Sequence, residues 1–332
     1  MTTIYDVAAR AGVSPATVSR VFNGGNVSPE KARAVRRAAE KLAYTPNRAA
    51  RALRRQTSDV IALVVTDIEN PFFTAMARGV EEVALAAGFS VVLCNSDGDL
   101  AREARYFDIA IAEHMAGVVL VPAEPATDVG RLVEHARPVV TVDRGLPLAP
   151  VDSVVADDLT GGRQGTGALY DKGFTRVGCI TGPRGAETAE KRSGGWREVF
   201  AQRSPGSDPR EYVVHADYRV NGGRRAMADL LALNEPPDAV FVANNLMAVG
   251  ALEALHQHGL RPPGFGMAVV GDVPYAPLAL TGMDVVPLPA RLIGATAAQV
   301  LLERIRGDSQ PVRTIVLRHE LPELENGAAA GS

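Results

Sequence analysis

The chain has 332 residues, of which 46% are hydrophobic and 22% charged, the balance of a soluble globular protein with too much chain for one ordinary core. A formal charge of −3 conceals an asymmetry: residues 1–56 hold eleven Lys/Arg against three acids, a net +8, whereas the remainder holds 24 against 35, a net −11. No apolar run approaches the roughly 18–20 residues that a membrane helix needs. Met1 to Asp6 show neither the basic start nor the apolar stretch of a secretory signal, so a cytoplasmic location without a membrane partner is expected. Cys94 and Cys179 sit inside apolar, strand-like runs and read as buried small hydrophobes rather than disulfide or metal ligands.

Three helices are legible at the N-terminus. Ile4, Val7, Ala8 and Ala11 form one apolar face, which Gly12 ends. Ser14-Pro15 supplies an N-cap and a proline at the first helical position for a helix reaching about Phe22, stopped by Asn23-Gly24-Gly25. Ser28-Pro29 repeats that start ahead of an Ala34, Val35, Ala38, Leu42 stripe. Beyond residue 57, strand-length apolar runs (60–65, 91–94, 117–121, 139–142, 153–156, 177–181, 239–243, 267–271) alternate with helix-length stretches (72–87, 100–113, 194–202, 222–233, 246–258). This rhythm predicts parallel sheets covered by helices on both faces, in two α/β lobes.

A helix, a short Gly-containing turn and a capped second helix make a helix-turn-helix, whose second helix would present Pro15, Ala16, Thr17, Ser19 and Arg20 outward. Arg20 has the fork for a bidentate contact to guanine, and Thr17 and Ser19 suit phosphates or base edges. The basic head is the footprint of a nucleic-acid-binding module, although a solvated basic face has the same composition. On spacing alone, a helical hairpin in an unrelated core accounts for the layout nearly as well.

The residues themselves are more specific. Tyr5-Asp6-Val7-Ala8, Ala11-Gly12-Val13-Ser14 and Ala16-Thr17-Val18-Ser19-Arg20-Val21-Phe22-Asn23 resemble the DNA-binding domain of the LacI (lactose-repressor-like) family, and the resemblance continues through Tyr44-Thr45-Pro46-Asn47-Arg48-Ala49-Ala50-Arg51-Ala52-Leu53. In that family the latter segment is a hinge helix that forms on the operator and lies in the minor groove. The match implies DNA contacts from Thr3, Tyr5, Ser14, Pro15, Ala16, Thr17, Ser19, Arg20 and Asn23, with Asn47, Ala50 and Leu53 in the hinge; Leu53 would be the apolar lever at a central base step. An isolated hinge of this length is too short to be a stable helix, which suits folding on DNA and equally an ordinary linker.

The resemblance extends over nearly all the remaining chain. Asp67 to Phe73, Asn95-Ser96-Asp97, Asp143-Arg144, Asp157, Gly182-Pro183 with Arg192 and Gly195-Trp196, Asp217-Tyr218 and Ala243 to Ala248 match segments bordering the family's ligand cleft. It implies an effector set of Phe72, Phe73, Asn95, Asp143, Arg192, Tyr218, Asn244 and Asp272. Stacking faces, carboxylates and a guanidinium fork suit a polyhydroxylated ligand. Two departures stand out: the loop Gly271-Asp272-Val273-Pro274-Tyr275 is two residues shorter than the family's pattern, and Ala186 replaces the arginine of purine-responsive members, which points to a sugar or sugar derivative. Taken without the resemblance, Asp143, Asp157 and Asn244 read equally as helix caps or loop ties.

Gly161 to Gly167 resembles a phosphate loop but lacks the Lys-Ser/Thr of one, so a glycine-rich helix start with close packing is expected. His256 and His258, two apart, read as neighbours of a helix C-terminus ending at Gly259. Trp196 and Phe200 read as core. No catalytic motif or cofactor signature stands out. The expected architecture is an all-α helix-turn-helix head (1–57, hinge helix about 46–55) followed by a two-lobed, periplasmic-binding-protein-like effector domain (58–325). Lobe 1 is assigned about 58–159 and 287–312, lobe 2 about 160–286 and 313–325, and residues 326–332 a disordered tail. The expected function is a homodimeric, sugar-controlled repressor on a pseudo-palindromic DNA operator. A periplasmic-type sugar receptor without a DNA role and an enzyme on the same α/β scaffold are the alternatives.

Overall fold

The computed structural model describes residues 2–22, 25–44, 58–273 and 282–319. Asn23, the hinge with Asn47, Ala50 and Leu53, and the tail 326–332 lie outside the described residues. The chain divides into two compact units, Met1–Ser58 and Asp59–Ser332.

In the first unit, α1 (Ile4–Ala11), α2 (Pro15–Phe22) and α3 (Pro29–Lys41) follow one another. Thr3 and Asp6 close a reciprocal capping box at the start of α1, and Gly12 ends the helix at φ 65°. Ser14 Oγ accepts from Thr17 N at 3.2 Å, so the expected cap of α2 is present. Ser28 makes no side-chain cap; α3 starts on Pro29 alone, whose fixed φ is already helical. Val7, Ala8, Val18, Val35, Ala38 and Ala39 form the core of this unit.

The second unit holds two parallel sheets. Strands β1 (Val60–Val65), β2 (Ser90–Asn95), β3 (Gly117–Leu120), β4 (Val139–Val142), β5 (Asp152–Ala156) and β11 (Thr314–Leu317) make the first, ordered β11-β5-β4-β3-β1-β2. Strands β6 (Val177–Thr181), β7 (Val213–His215), β8 (Ala239–Val242), β9 (Gly266–Val270) and β10 (Asp284–Val286) make the second, ordered β10-β9-β8-β6-β7. Helices cover both faces, which is why β1, β3, β8 and β9 read as unbroken apolar runs. The flanking helices are α4 (Pro71–Ala86), α5 (Leu100–Ala112), α6 (Gly130–Glu134), α7 (Asp158–Asp171), α8 (Glu187–Arg203), α9 (Val220–Leu231), α10 (Asn245–Gln257) and α11 (Ala290–Ile305).

Residues 313–325 were expected in lobe 2, yet Thr314–Leu317 pairs with β5 at the edge of the first sheet. A four-residue strand half-exposed along its length carries no mark of which sheet it will join. The three segments that run between the lobes meet at His319, whose Nε2 lies 2.9 Å from the Asp157 carbonyl and Nδ1 2.8 Å from the Pro287 carbonyl.

The glycine-rich segment is the first half of α7 and holds no phosphate loop. Asp157 caps it through Thr160 N at 3.3 Å. Its glycines let α7 approach α8 backbone to backbone: a Cβ at Gly162 would collide with the Arg192 carbonyl, and one at Gly195 with the Leu159 carbonyl. Trp196 is core, fully buried with Nε1 donating to the Val177 carbonyl at 3.0 Å, and Phe200 packs on it with ring centroids 4.9 Å apart. His258 caps the C-terminus of α10 and Gly259 follows at φ 72°. Both cysteines are buried and free. Gly162→Ala is expected to lose about 1–3 kcal/mol by overpacking. Gly167→Ala, where a Cβ meets nothing within 4 Å, should be neutral or stabilising by up to about 1 kcal/mol. Urea unfolding of the two variants checks the contrast, and equal behaviour would refute the close-packing account.

Candidate effector cavity and DNA-reading helix

The two sheets turn the carboxyl ends of their strands toward one gap, where an open α/β fold places its ligand. A cavity of about 790 Å³ occupies it, lined by loops following β1, β2, β3, β4, β6, β7, β8, β9 and β10. Phe72, Phe73, Asp143, Arg192, Tyr218, Asn244 and Asp272, seven of the eight expected effector residues, line this cavity. Asn95 does not: it ends β2 half-buried, with its Oδ1 enclosed and unpartnered among the described residues.

Arg192 is the most constrained of these groups. Its Nε donates to Asp158 Oδ1 at 2.7 Å and its Nη1 to the Ala243 carbonyl at 2.7 Å, with side chains 5% and 3% exposed for the ion pair. Nη2 makes no hydrogen bond among the described residues. Burial pushes the Asp158 carboxyl up, the Arg192 charge opposes that, and the nearby Asp143 adds to it. Burial also works against the Arg192 charge, but Asp158, Tyr218 and Asp143 outweigh it and hold the guanidinium charged. Asp143 takes a left-handed backbone (φ 67°) and accepts from Arg144 Nε and Nη2 at 3.1 and 3.0 Å. Tyr218, at φ 64°, pairs its hydroxyl with Thr188 Oγ1 at 2.8 Å, and burial pushes its phenol up.

The capping and ligand readings of Asn244 are compatible. Its Oδ1 caps α10 through Met247 N at 2.9 Å, which leaves its amide nitrogen at the cavity wall. Asn70 caps α4 in the same way through Phe72 N at 3.0 Å, and Asn245 Nδ2 reaches across to Asn70 Oδ1 at 3.3 Å and to the Asp272 carbonyl at 3.1 Å. Asp157 caps α7 and does not line the cavity. Further wall residues were missed as individuals: Asn70, Glu124, Glu187, Arg219 and Asn245. Their signal was position, one to several residues past a strand end, and Glu124 and Glu187 lie in segments no motif marked.

Cross-cleft contacts include Arg219 Nη2 to Asp97 Oδ1 at 2.7 Å and Gly145 N to Glu187 Oε2 at 2.7 Å. The Arg219 hydrogen bond holds the Asp97 carboxyl below its usual range. Burial pushes Glu187 up, but Lys191 and the Gly145 amide outweigh it and the net direction is downward. Glu103, buried behind the wall, accepts from Ala123 N at 2.7 Å and Thr127 Oγ1 at 2.6 Å, fixing the loop after β3.

In the first unit, Thr3, Tyr5, Ser14, Ala16 and Arg20 are exposed and Pro15, Thr17 and Ser19 half-buried, while Val18 alone of α2 is buried. The short second helix therefore offers a polar outer face with its start on the outside, as major-groove reading requires. Thr3 and Ser14 also hold the helix starts, so either has a structural duty besides any contact.

A helix-turn-helix head joined to a cleft-bearing α/β body defines a ligand-responsive, DNA-binding regulator. Comparison with known proteins agrees. Residues 3–47 match the family described as bacterial regulatory proteins, lacI family, and residues 61–285 match the periplasmic binding protein domain. The chain is 34% identical to the ribose operon repressor of Halalkalibacterium halodurans, over 97% of this chain and 95% of that one. It superposes on the structure of the transcriptional regulator CelR–cellobiose complex with a TM-score of 0.72 at 33% identity, covering 96% and 98% of the two chains. A lac repressor dimer bound to operator and anti-inducer shares the fold, with a TM-score of 0.80 at 24% identity over 95% and 96%. The chain belongs to the lacI family of bacterial regulatory proteins. It is a ligand-responsive transcriptional repressor and not an enzyme. A receptor without a DNA role is set aside by the match over the head.

Arg192→Met strands a buried carboxyl and is expected to destabilise the body by about 3–5 kcal/mol near neutral pH. Without Arg192 the Asp158 carboxyl is raised further, so the stability it contributes as the neutral acid is present below its ordinary value and lost as pH rises through the raised one. Unfolding at about pH 5 and about pH 8 should therefore show a smaller deficit, relative to the parent, at the lower pH; an equal deficit at both would contradict the pairing.

Proposed function

We propose that the chain acts in the cytoplasm as a homodimer that represses transcription from a pseudo-palindromic operator, and that a sugar or sugar derivative in the inter-lobe cavity controls its occupancy of DNA. The observation that carries this reading is the cavity itself: polar side chains from eight strand ends converge on it, with aromatic faces at Phe72, Phe73 and Tyr218. Those faces, the carboxylates and the Arg192 fork are what a polyhydroxylated ring requires. The ribose operon repressors and the cellobiose complex among the similar proteins support the sugar class. No helix among the described residues is long and apolar enough to cross a membrane.

In this reading residues 1–57 are the DNA unit and 58–325 the effector unit. Thr3, Tyr5, Ser14, Pro15, Ala16, Thr17, Ser19, Arg20 and Asn23 contact the major-groove half-site, and Asn47, Ala50 and Leu53 the minor groove. Phe72, Phe73, Asp143, Arg192, Tyr218, Asn244 and Asp272 hold the effector, with Asn95 behind them. The effector acts only through its different affinity for the DNA-competent and DNA-incompetent states. Two copies meet along the open edge of the first sheet, where β2 ends the strand order and Val92 and Leu93 are 41% and 47% exposed. Such an unblunted apolar edge is a surface made for covering.

Gel-shift selection on random duplexes should return a palindromic site bound with steep salt dependence. Arg20→Ala is expected to cost about 1–3 kcal/mol of discrimination at one base pair per half-site, and an unchanged selected site would exclude Arg20 as a base reader. Leu93→Asp is expected to shift the body from dimer to monomer in sedimentation equilibrium; a persistent dimer would move the interface elsewhere.

A further inference from the structure

The lobes are already bridged around the cavity, by Asp97–Arg219, Gly145–Glu187 and Asn70–Asn245. The 790 Å³ is therefore the space left with the walls in contact, and not that of a gaping cleft. A hexose fills only about 180 Å³ at the density of organic matter. One ring would leave most of this volume to water.

The wall also has two tiers. Asn70, Phe73, Asp143, Arg192 and Asn244 are each under 9% exposed and make a buried floor. Glu124, Arg184 and Asp217 are exposed and make a rim that still faces the same cavity. Neither Glu124 nor Arg184 has an ion-pair partner among the described residues, so both side chains are available to a ligand. Charge narrows the class further. Seven carboxylates and four guanidiniums line the cavity. Of the four, Arg144, Arg192 and Arg219 are already paired with Asp143, Asp158 and Asp97. A phosphate dianion would find one uncommitted cation and a surplus of like charge, which costs free energy when desolvated.

We infer that the effector is an uncharged glycoside of at least two rings, one seated on the buried floor and the next against the rim at Glu124 and Arg184. This rests on the sugar reading above and narrows it: a free monosaccharide or a sugar phosphate is not the ligand for which the cavity is shaped. The outer ring gains its hydrogen bonds from charged groups, which are stronger than neutral ones.

Calorimetry on the full chain tests this with ribose, glucose, glucose 6-phosphate, cellobiose, maltose and sucrose, each also added to an operator gel shift. At least one disaccharide is expected to bind at least tenfold tighter than its component monosaccharide, and glucose 6-phosphate no better than glucose. A monosaccharide that binds as tightly as every disaccharide, or a phosphate that binds tighter than its parent sugar, overturns the inference while leaving the sugar reading intact. Silence across the panel in both assays overturns the sugar reading, and this inference with it. The double variant Glu124→Ala/Arg184→Ala, on exposed side chains whose loss should leave the melting temperature unchanged, is expected to abolish the disaccharide's advantage. Retention of that advantage in a folded variant rules out the rim as the second subsite.

Discussion

A guanidinium taken out of water must be paired, and the body of this repressor is arranged around one. Arg192 comes from α8, its partner Asp158 from the first turn of α7 as the chain leaves lobe 1, and its second acceptor from the end of β8. One side chain thus ties the crossing segment, two helices and the central strand of lobe 2 to the cavity floor. The cost of burying the pair is offset because its geometry is close and Arg192 Nε and Nη1 both find acceptors. The glycines of α7 belong to the same arrangement. They let α7 and α8 approach closely enough for Asp158 to reach Arg192, at some expense in helix propensity.

The same economy runs through the cavity wall. Asn70 and Asn244 each spend one oxygen on a helix N-terminus and keep an amide for the cleft, so helix starts and ligand groups are built from the same residues. Parallel strands need crossover helices, and every crossover helix begins at a strand's carboxyl end. Concentrating caps, backbone amides and polar side chains in the gap between two such sheets follows from that topology. Cross-lobe contacts from Arg219, Gly145 and Asn245 then make the separation of the lobes a matter of a few polar bonds, which a ligand of modest affinity can tip.

The head and the body differ in how plainly their residues spoke. In the head, Ile4–Ala11 and Pro15–Phe22 were legible to the residue, because caps, proline at N1 and a left-handed glycine are local signals. Ser28 reads as a side-chain cap but makes no such bond, since whether a serine turns toward its helix depends on its own rotamer. In the body the apolar runs are legible as strands, whereas Val213–His215 and Asp284–Val286 have only three residues and Thr314–Leu317 alternates exposed and half-buried positions, so none of the three shows a continuous apolar run. Helix α11 is apolar on several sides because it packs under α4 and against the sheet, so it has no amphipathic stripe to read.

By itself the amino-acid order determined the helix-turn-helix, the alternation of strand and helix, the charge division between head and body, and the family to which these belong. Those are local or additive properties, set by caps, turns, burial periodicity and composition. Tertiary structure alone decided which sheet Thr314–Leu317 joins, that Asn95 stands behind the wall while Glu124 and Arg184 stand on it, and that Arg192 meets Asp158. Such pairings join residues as much as 161 positions apart, as Thr314 and Ser153 are (314 − 153), and no short-range pattern encodes a distance across a cleft.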